Sequence, residues 1–264
     1  MEVQSRSGLV ALVSSLPIWA WRKRPEIWLL GGVFLAGLLL LAFGHIAEEV
    51  IEGDATKFDQ TVMLALRSPS DSSDPLGPAW LEEAARDITG LGSYAVLGFV
   101  FCAVVSYLLM TKRRSAVLWV SASILGGVLL SNALKFAFAR PRPELVPPLA
   151  RVFTSSFPSG HATLAAVTYL TLGALLASLH NSRRLKLYFI GLAIILTVAI
   201  GLSRVYLGVH YPTDVLAGWC IGAAWAALCW SLARWLQQLG KIEPANNDAV
   251  GEGDRANGRT SACH

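Results

Sequence analysis

Long apolar runs separated by short polar links dominate this chain. Six of them approach the roughly 20 residues an α-helix needs to cross a bilayer's hydrocarbon core. They run approximately Ile27–Ile46, Leu91–Met110, Ser115–Leu134, Gly160–Leu179, Leu187–Val205 and Val215–Leu236. The pattern predicts an all-α fold, a polytopic membrane helix bundle. The links carry an orientation signal. Arg22-Lys23-Arg24 precedes the first run, Lys112-Arg113-Arg114 follows the second, and Arg183-Arg184-Leu185-Lys186 follows the fourth. The other side holds the segment 48–90, rich in Asp and Glu. Cytoplasmic links gather Lys and Arg, so both termini are expected inside and segment 48–90 outside. A basic flank before an apolar run also suits a secretory signal. This run lies far from Met1 and is long for such a core, which favours an anchor.

Two weaker periodic stretches fall within segment 48–90. Thr56 with Asp59 has the form of a capping box, opening a short helix whose apolar face is Phe58, Val62, Ala65 and Leu66. Trp80-Leu81, Ala84-Ala85 and Ile88 form a second amphipathic stretch after a Ser/Asp/Pro-rich turn at Ser68–Pro78. Such helices either lie at the interface and shape a lipid entrance or simply cover the bundle. The expected organisation is a cytoplasmic segment 1–26, a membrane domain 27–236 and a polar tail 237–264. The tail's Asn, Gly and Asp content predicts disorder.

Composition sharpens this picture. Of the 264 residues 54% are hydrophobic and 15% charged, where a soluble domain carries about 25% charged residues. The net charge of +4 would suit a nucleic-acid partner if it formed a stripe. Here the basic residues sit in small clusters between apolar runs, so topology accounts for them and no nucleic acid is expected. Cys102, Cys220 and Cys229 lie inside apolar runs and Cys263 in the tail, with no spacing that suggests a metal site or a disulfide framework.

The candidate chemistry sits at the ends of the runs. Lys135 ends the third, and Pro141 and Pro143 stop that helix from continuing past Arg142. An ammonium and a guanidinium together clamp phosphate oxygens well, although basic residues at helix ends also snorkel to headgroups. Arg140, in the neighbouring Arg-Pro pair, suits that snorkelling role. Pro158-Ser159-Gly160-His161 opens the fourth run: Ser159 is an N-cap, Gly160 admits close approach, and a helix N-terminus attracts anions. The plain alternative is an ordinary capped helix with an incidental histidine. Ser203-Arg204 ends the fifth run, His210 follows after five residues, and Asp214 lies four beyond it. A carboxylate that holds one imidazole N–H leaves the other nitrogen free as a nucleophile, or as a metal ligand. Three cations nearby disfavour a divalent metal and suit a phosphoryl group. Because antiparallel spans alternate, the ends bearing Lys135, His161, Arg204 and Asp214 all fall on one membrane face, the non-cytoplasmic one.

Lys135, six residues, Arg142-Pro143; Pro158-Ser159-Gly160-His161; and Ser203-Arg204, five residues, His210, three residues, Asp214 together resemble the three-part signature of the type 2 phosphatidic acid phosphatase superfamily. That superfamily includes soluble vanadium haloperoxidases and vertebrate glucose-6-phosphatase. The resemblance implies that His210 attacks phosphorus to form a phosphohistidine, with Asp214 fixing its tautomer. It implies that His161 protonates the leaving oxygen and then helps activate water or an acceptor. Lys135, Arg142 and Arg204, with Ser159 and the Gly160 amide, would hold the equatorial oxygens, with no metal and no other cofactor. The expected substrate is a lipid phosphate or diphosphate entering sideways from the bilayer. Undecaprenyl diphosphate comes first, phosphatidic acid or phosphatidylglycerophosphate next, then the lipid A 1-phosphate. A lipid phosphotransferase, a haloperoxidase and a non-catalytic lipid-binding protein are the rivals.

Overall fold

The computed structural model describes residues 25–143, 145–149 and 154–239. The expected cytoplasmic segment and polar tail therefore lie outside the described residues, apart from 25–26 and 237–239. Eight helices and one hairpin make up the described chain: α1 (Pro25–Glu52), α2 (Thr56–Ala65), β1 (Arg67–Ser68), β2 (Asp71–Pro75), α3 (Ala79–Gly90), α4 (Tyr94–Met110), α5 (Arg114–Phe138), α6 (Gly160–Leu179), α7 (Arg183–Tyr206) and α8 (Pro212–Gln238).

α1, α5, α6, α7 and α8 are each long and apolar enough to cross a membrane. α4 has 17 residues and meets that standard only together with α3, from which it is bent by 47°. The second expected span, Leu91–Met110, thus begins three residues late. The cause is local: Ser93 is extended and its hydroxyl accepts from the Val96 amide, capping a new helix rather than continuing the old one. Elsewhere the helices outrun the apolar stretches. Arg183 and Arg184 belong to the first turn of α7, and Pro212 opens α8, where its missing N–H costs nothing.

α6 is the central helix. It packs against α5, α7 and α8, and α8 also packs against α1. Its close contact with α8 depends on absent side chains. A Cβ at Gly222 would lie 2.5 Å from the Thr163 carbonyl oxygen, and one at Gly218 would lie 2.9 Å from that of Ser159. Small residues at such crossings let backbones approach. Polar pairs add to them: Ser123 and Thr171 share a 2.7 Å hydrogen bond, and the Trp225 indole N–H donates to the Ser123 carbonyl at 2.8 Å. Outward-facing Phe34, Leu41, Phe99, Leu129, Phe136 and Ile195 form an exposed apolar exterior, as a lipid-facing bundle requires.

Segment 48–90 differs in detail from its sequence reading. The Ser68–Pro78 stretch contains an antiparallel hairpin, so the all-α bundle carries one small β element. α2 forms where expected, but Asp59 does not cap it. Thr56 instead donates to the Gly53 carbonyl, and Asp59 is fully buried, turned towards α8. The packed face is Val62, Met63 and Leu66, while Phe58 is exposed. The face rotates because the three buried hydrogen bonds that Asp59 accepts outweigh one exposed ring. In α3 the inner face is Ala85 and Thr89, with Trp80 exposed.

Candidate active site

Four helix ends meet beside segment 48–90: the C-termini of α5 and α7 and the N-termini of α6 and α8. The segments between them carry the remaining polar groups. α5 ends in a left-handed residue, Ala139 (φ 45°), after which Pro141 and Pro143 keep the chain extended. This places Lys135 at the last helical turn and Arg140 and Arg142 on the strap beyond it. Ser159 accepts from the Ala162 amide as the N-cap of α6, and its own N–H donates to the Asp214 carbonyl at 2.9 Å, joining the starts of α6 and α8.

The geometry around His210 determines its tautomer. Nε2 lies 3.3 Å from Arg142 Nη1, and Nδ1 lies 3.4 Å from Asp214 Oδ2. A guanidinium has only donors, so Nε2 accepts and the proton resides on Nδ1, facing the carboxylate. His210 is 1% exposed, and burial pushes its pKa down to about 4, against the pull of Asp214. The imidazole is therefore neutral at physiological pH, with its lone pair on the side of Arg142. Asp214 is held at both oxygens. Oδ2 also accepts from the Tyr211 N–H at 2.9 Å and from the Ser156 hydroxyl; Oδ1 accepts from Arg140 Nη1 at 2.6 Å.

The cations are disposed differently from one another. Lys135 Nζ donates to the Ser155 carbonyl at 2.7 Å, and its stem lies over Gly160, where a Cβ would meet Lys135 Cε at 3.1 Å. Arg142 donates to the carbonyls of Thr154 (2.7 Å) and Val209 (2.6 Å). Burial lowers its pKa, with Asp214 opposing. Arg204 is 3% exposed and reaches Thr89 Oγ1 at 3.1 Å, while its Nε and Nη2 are buried without a partner. His161 lies within electrostatic reach of Arg204, His210, Lys135 and Arg142, its ring beside Gly92, where a Cβ would sit 3.3 Å from His161 Cδ2. The structure thus brings together all eight residues singled out in the sequence: His210, His161, Asp214, Lys135, Arg142, Ser159, Gly160 and Arg204. Ser203, beside Arg204, turns away and donates to the Ile200 carbonyl.

Arg140 is no snorkeller. Its guanidinium bridges Asp214 and Asp59, the latter at 2.9 Å, and stacks 4.2 Å from the Tyr211 ring centroid. Burial works against its charge, but Asp214 and Asp59 outweigh that and raise its pKa. Sequence reasoning also missed Asp59, Ser156 and Thr89. Asp59 lies 81 residues from Arg140, and no local pattern reports such a partner. Among the described residues no three His, Cys, Asp or Glu side chains are grouped to hold a metal ion. Four cations (Lys135, Arg140, Arg142, Arg204) face two carboxylates (Asp59, Asp214), leaving a positive pocket with partnerless buried donors. Chemically, such an arrangement can receive a small polyanion beside a neutral imidazole.

A bundle with this arrangement at converging helix ends belongs to a defined class of membrane protein. Residues 116–238 match the model of the PAP2 superfamily. Phosphatidylglycerophosphatase B of Bacillus subtilis (strain 168) is 34% identical over 146 residues, covering 54% of this chain and 70% of that protein. A lipid A 1-phosphatase of Rhizobium etli is 31% identical over 189 residues, covering 63% and 76%. A crystal structure described as the first transmembrane PAP2 type phosphatidylglycerolphosphate phosphatase from Bacillus subtilis superposes with a TM-score of 0.66 at 26% identity, over 77% of this chain and 98% of that one. The chain belongs to the PAP2 superfamily.

Proposed function

We propose that this protein is an integral membrane lipid phosphatase that removes a terminal phosphate from a lipid phosphate or diphosphate through a phosphohistidine on His210, without a metal. The observation that carries this reading is Arg204. A guanidinium with two buried, unpartnered nitrogens calls for an anion, and it stands in one pocket with a neutral, tautomer-fixed imidazole. In the first step the His210 Nε2 lone pair forms a bond to phosphorus, and the bond from phosphorus to the leaving oxygen breaks. His161, protonated once the substrate's phosphate offsets the cations around it, gives that oxygen its proton. In the second step His161 takes a proton from water, whose oxygen displaces His210 and releases inorganic phosphate. Lys135, Arg142 and Arg204, with Ser159 and the Gly160 amide, hold the equatorial oxygens as charge redistributes. Such transfer depends mainly on positioning and fixed positive charge.

Arg142 Nη1 lies 3.3 Å from His210 Nε2, so a phosphate drawing that guanidinium onto its oxygens would free the lone pair for attack. The site faces the non-cytoplasmic side of a bacterial inner membrane, with both termini in the cytoplasm. An outward site suits recycling of undecaprenyl diphosphate, which remains the first candidate. Phosphatidylglycerophosphate and phosphatidic acid follow, then the lipid A 1-phosphate. The test is phosphate release by purified protein from this panel, with and without EDTA. His210→Ala should abolish release, Asp214→Asn should cut it strongly, and EDTA should leave it unchanged. Full activity in His210→Ala would end the phosphohistidine reading. Loss on EDTA treatment would end the metal-independent one.

A further inference from the structure

Asp59 and Arg140 play no part in the reaction just described, yet among the described residues they form a densely bonded ionic group. Arg140 Nη1 donates to Asp214 Oδ1 (2.6 Å) and Thr213 Oγ1 (3.0 Å), and Nη2 donates to Asp59 Oδ2 (2.9 Å). Asp59 also accepts from the Thr213 N–H at 3.0 Å and the Thr213 hydroxyl at 2.7 Å. Both carboxylates are fully buried, and the Arg140 side chain is 14% exposed. The two oxygens of Asp214 therefore have separate duties. Oδ2 meets His210 and Oδ1 is fixed by Arg140, so the carboxylate is not free to rotate.

This arrangement has an electrostatic consequence. When His210 attacks phosphorus, its ring gains positive charge that Asp214 must stabilise. A lone cation on Oδ1 would weaken Asp214 for that task. Asp59, on the far side of the guanidinium, offsets the cation while leaving its hydrogen bonds in place. We infer that Asp59 and Arg140 are positioning residues for the His210–Asp214 couple: Arg140 fixes the carboxylate, and Asp59 tempers the charge with which it does so. The inference rests on the phosphohistidine reading above. It gives the outer helix α2, which bears Asp59, a function in the chemistry beyond covering the bundle.

The predicted signature is kinetic, because neither residue stands among the groups assigned to phosphate. Asp59→Asn should lower kcat about tenfold or more, as outer-shell partners of a reacting group do, with KM within about twofold. Arg140→Gln should fall at least as far. Its effect on pH dependence should differ in sign. The charged groups facing His210 are Asp214 on α8, Arg204 on α7 and Arg142 on the strap after α5, with His161 on α6 acting on the ring as well. Removing Arg140 leaves Asp214 less neutralised, so the acid limb of kcat/KM, set by protonation of His210, moves to higher pH. Asp59→Asn leaves the Arg140 charge unopposed and moves that limb down or not at all. Because Asp59 acts through Arg140, the double variant should be no worse than Arg140→Gln alone.

The experiment is the kcat, KM and pH profile of the full-length protein and these three variants, with thermal unfolding in detergent as a fold control. Unchanged kcat in Asp59→Asn would overturn the proposal. So would a loss shared equally by kcat and thermal stability in both single variants, with the acid limb where it is in the parent. Arg140→Lys supplies a second check. It keeps the charge but cannot bridge both carboxylates, so it should retain the acid limb and lose kcat; full activity would also count against the proposal. His210→Ala in the same series keeps the two readings apart. Activity there removes the phosphohistidine itself, whereas an inactive His210→Ala beside an unaffected Asp59→Asn removes only the positioning pair.

Discussion

Arg204 is buried, yet its Nε and Nη2 have no acceptor. Each unmet buried donor costs about 1–3 kcal/mol, and the cost of leaving a charge unpaired adds to it. Without a bound anion, the protein is expected to be less stable than a variant lacking this guanidinium. Arg204→Met is expected to raise the apparent unfolding temperature in detergent while lowering kcat/KM by about 100-fold or more, the scale of losing a preorganised donor. Orthovanadate, a tetrahedral anion, should stabilise the parent and leave Arg204→Met unmoved. A parent more stable than the variant without any anion would mean that those nitrogens are already satisfied. Sequence reasoning singled out Arg204 through the spacing of Ser203-Arg204 to His210 and Asp214, and that was enough to bring it to the pocket. Arg140 shows where such reasoning stops. A basic residue at a helix end looks the same whether it reaches a headgroup or a buried carboxylate, and only the path of α2 across the pocket decides between them.

At the scale of elements, the site depends on how closely α8 lies against α6. Gly222 sits so near the Thr163 carbonyl that an added methyl must push the helices apart. Gly222→Ala is expected to destabilise the protein by about 1–3 kcal/mol, the usual cost of overpacking. It should lower activity too, because the N-termini of α6 and α8 carry His161 and Asp214. Gly191→Ala on α7, where nothing lies within 4 Å of the added carbon, is the control. It should be neutral or stabilising by up to about 1 kcal/mol, since alanine is the better helix former. Thermal unfolding of both variants would decide the point, and equal effects would deny the close packing its role. Apolar run length found these helices readily, since crossing a bilayer sets a minimum that few other structures need. It placed the start of α4 wrongly because Leu91, Gly92 and Ser93 continue the composition of the run while breaking its hydrogen bonding. The hairpin and the true inner face of α2 left no such trace: both are set by long-range partners, and a short segment's own periodicity is too weak to oppose them.

For the whole molecule, the alternation of spans and the position of the site constrain each other. The ends of α5, α6, α7 and α8 that bear Lys135, His161, Arg204 and Asp214 do meet, so these four helices alternate across the bilayer as the parity of the apolar runs requires. Parity does not say which face is which. That comes from the basic links: Lys112 and Arg113 before α5 with Arg114 at its start, and Arg183, Arg184 and Lys186 at the start of α7, lie at the ends opposite the pocket. Cytoplasmic loops collect such residues, so the pocket should face outward, with α2, the hairpin and α3 beside it. The acidic character of that outer segment fits the same assignment, since it offers no basic cluster to compete. A phosphatase or fluorescent reporter fused after Lys186 should therefore behave as cytoplasmic, and one inserted in the exposed hairpin turn at Pro69-Ser70 as external. The reverse pattern would place the pocket inside. It would then remove the argument for an outward-facing carrier lipid as first substrate, while leaving the phosphoryl chemistry of His210 untouched.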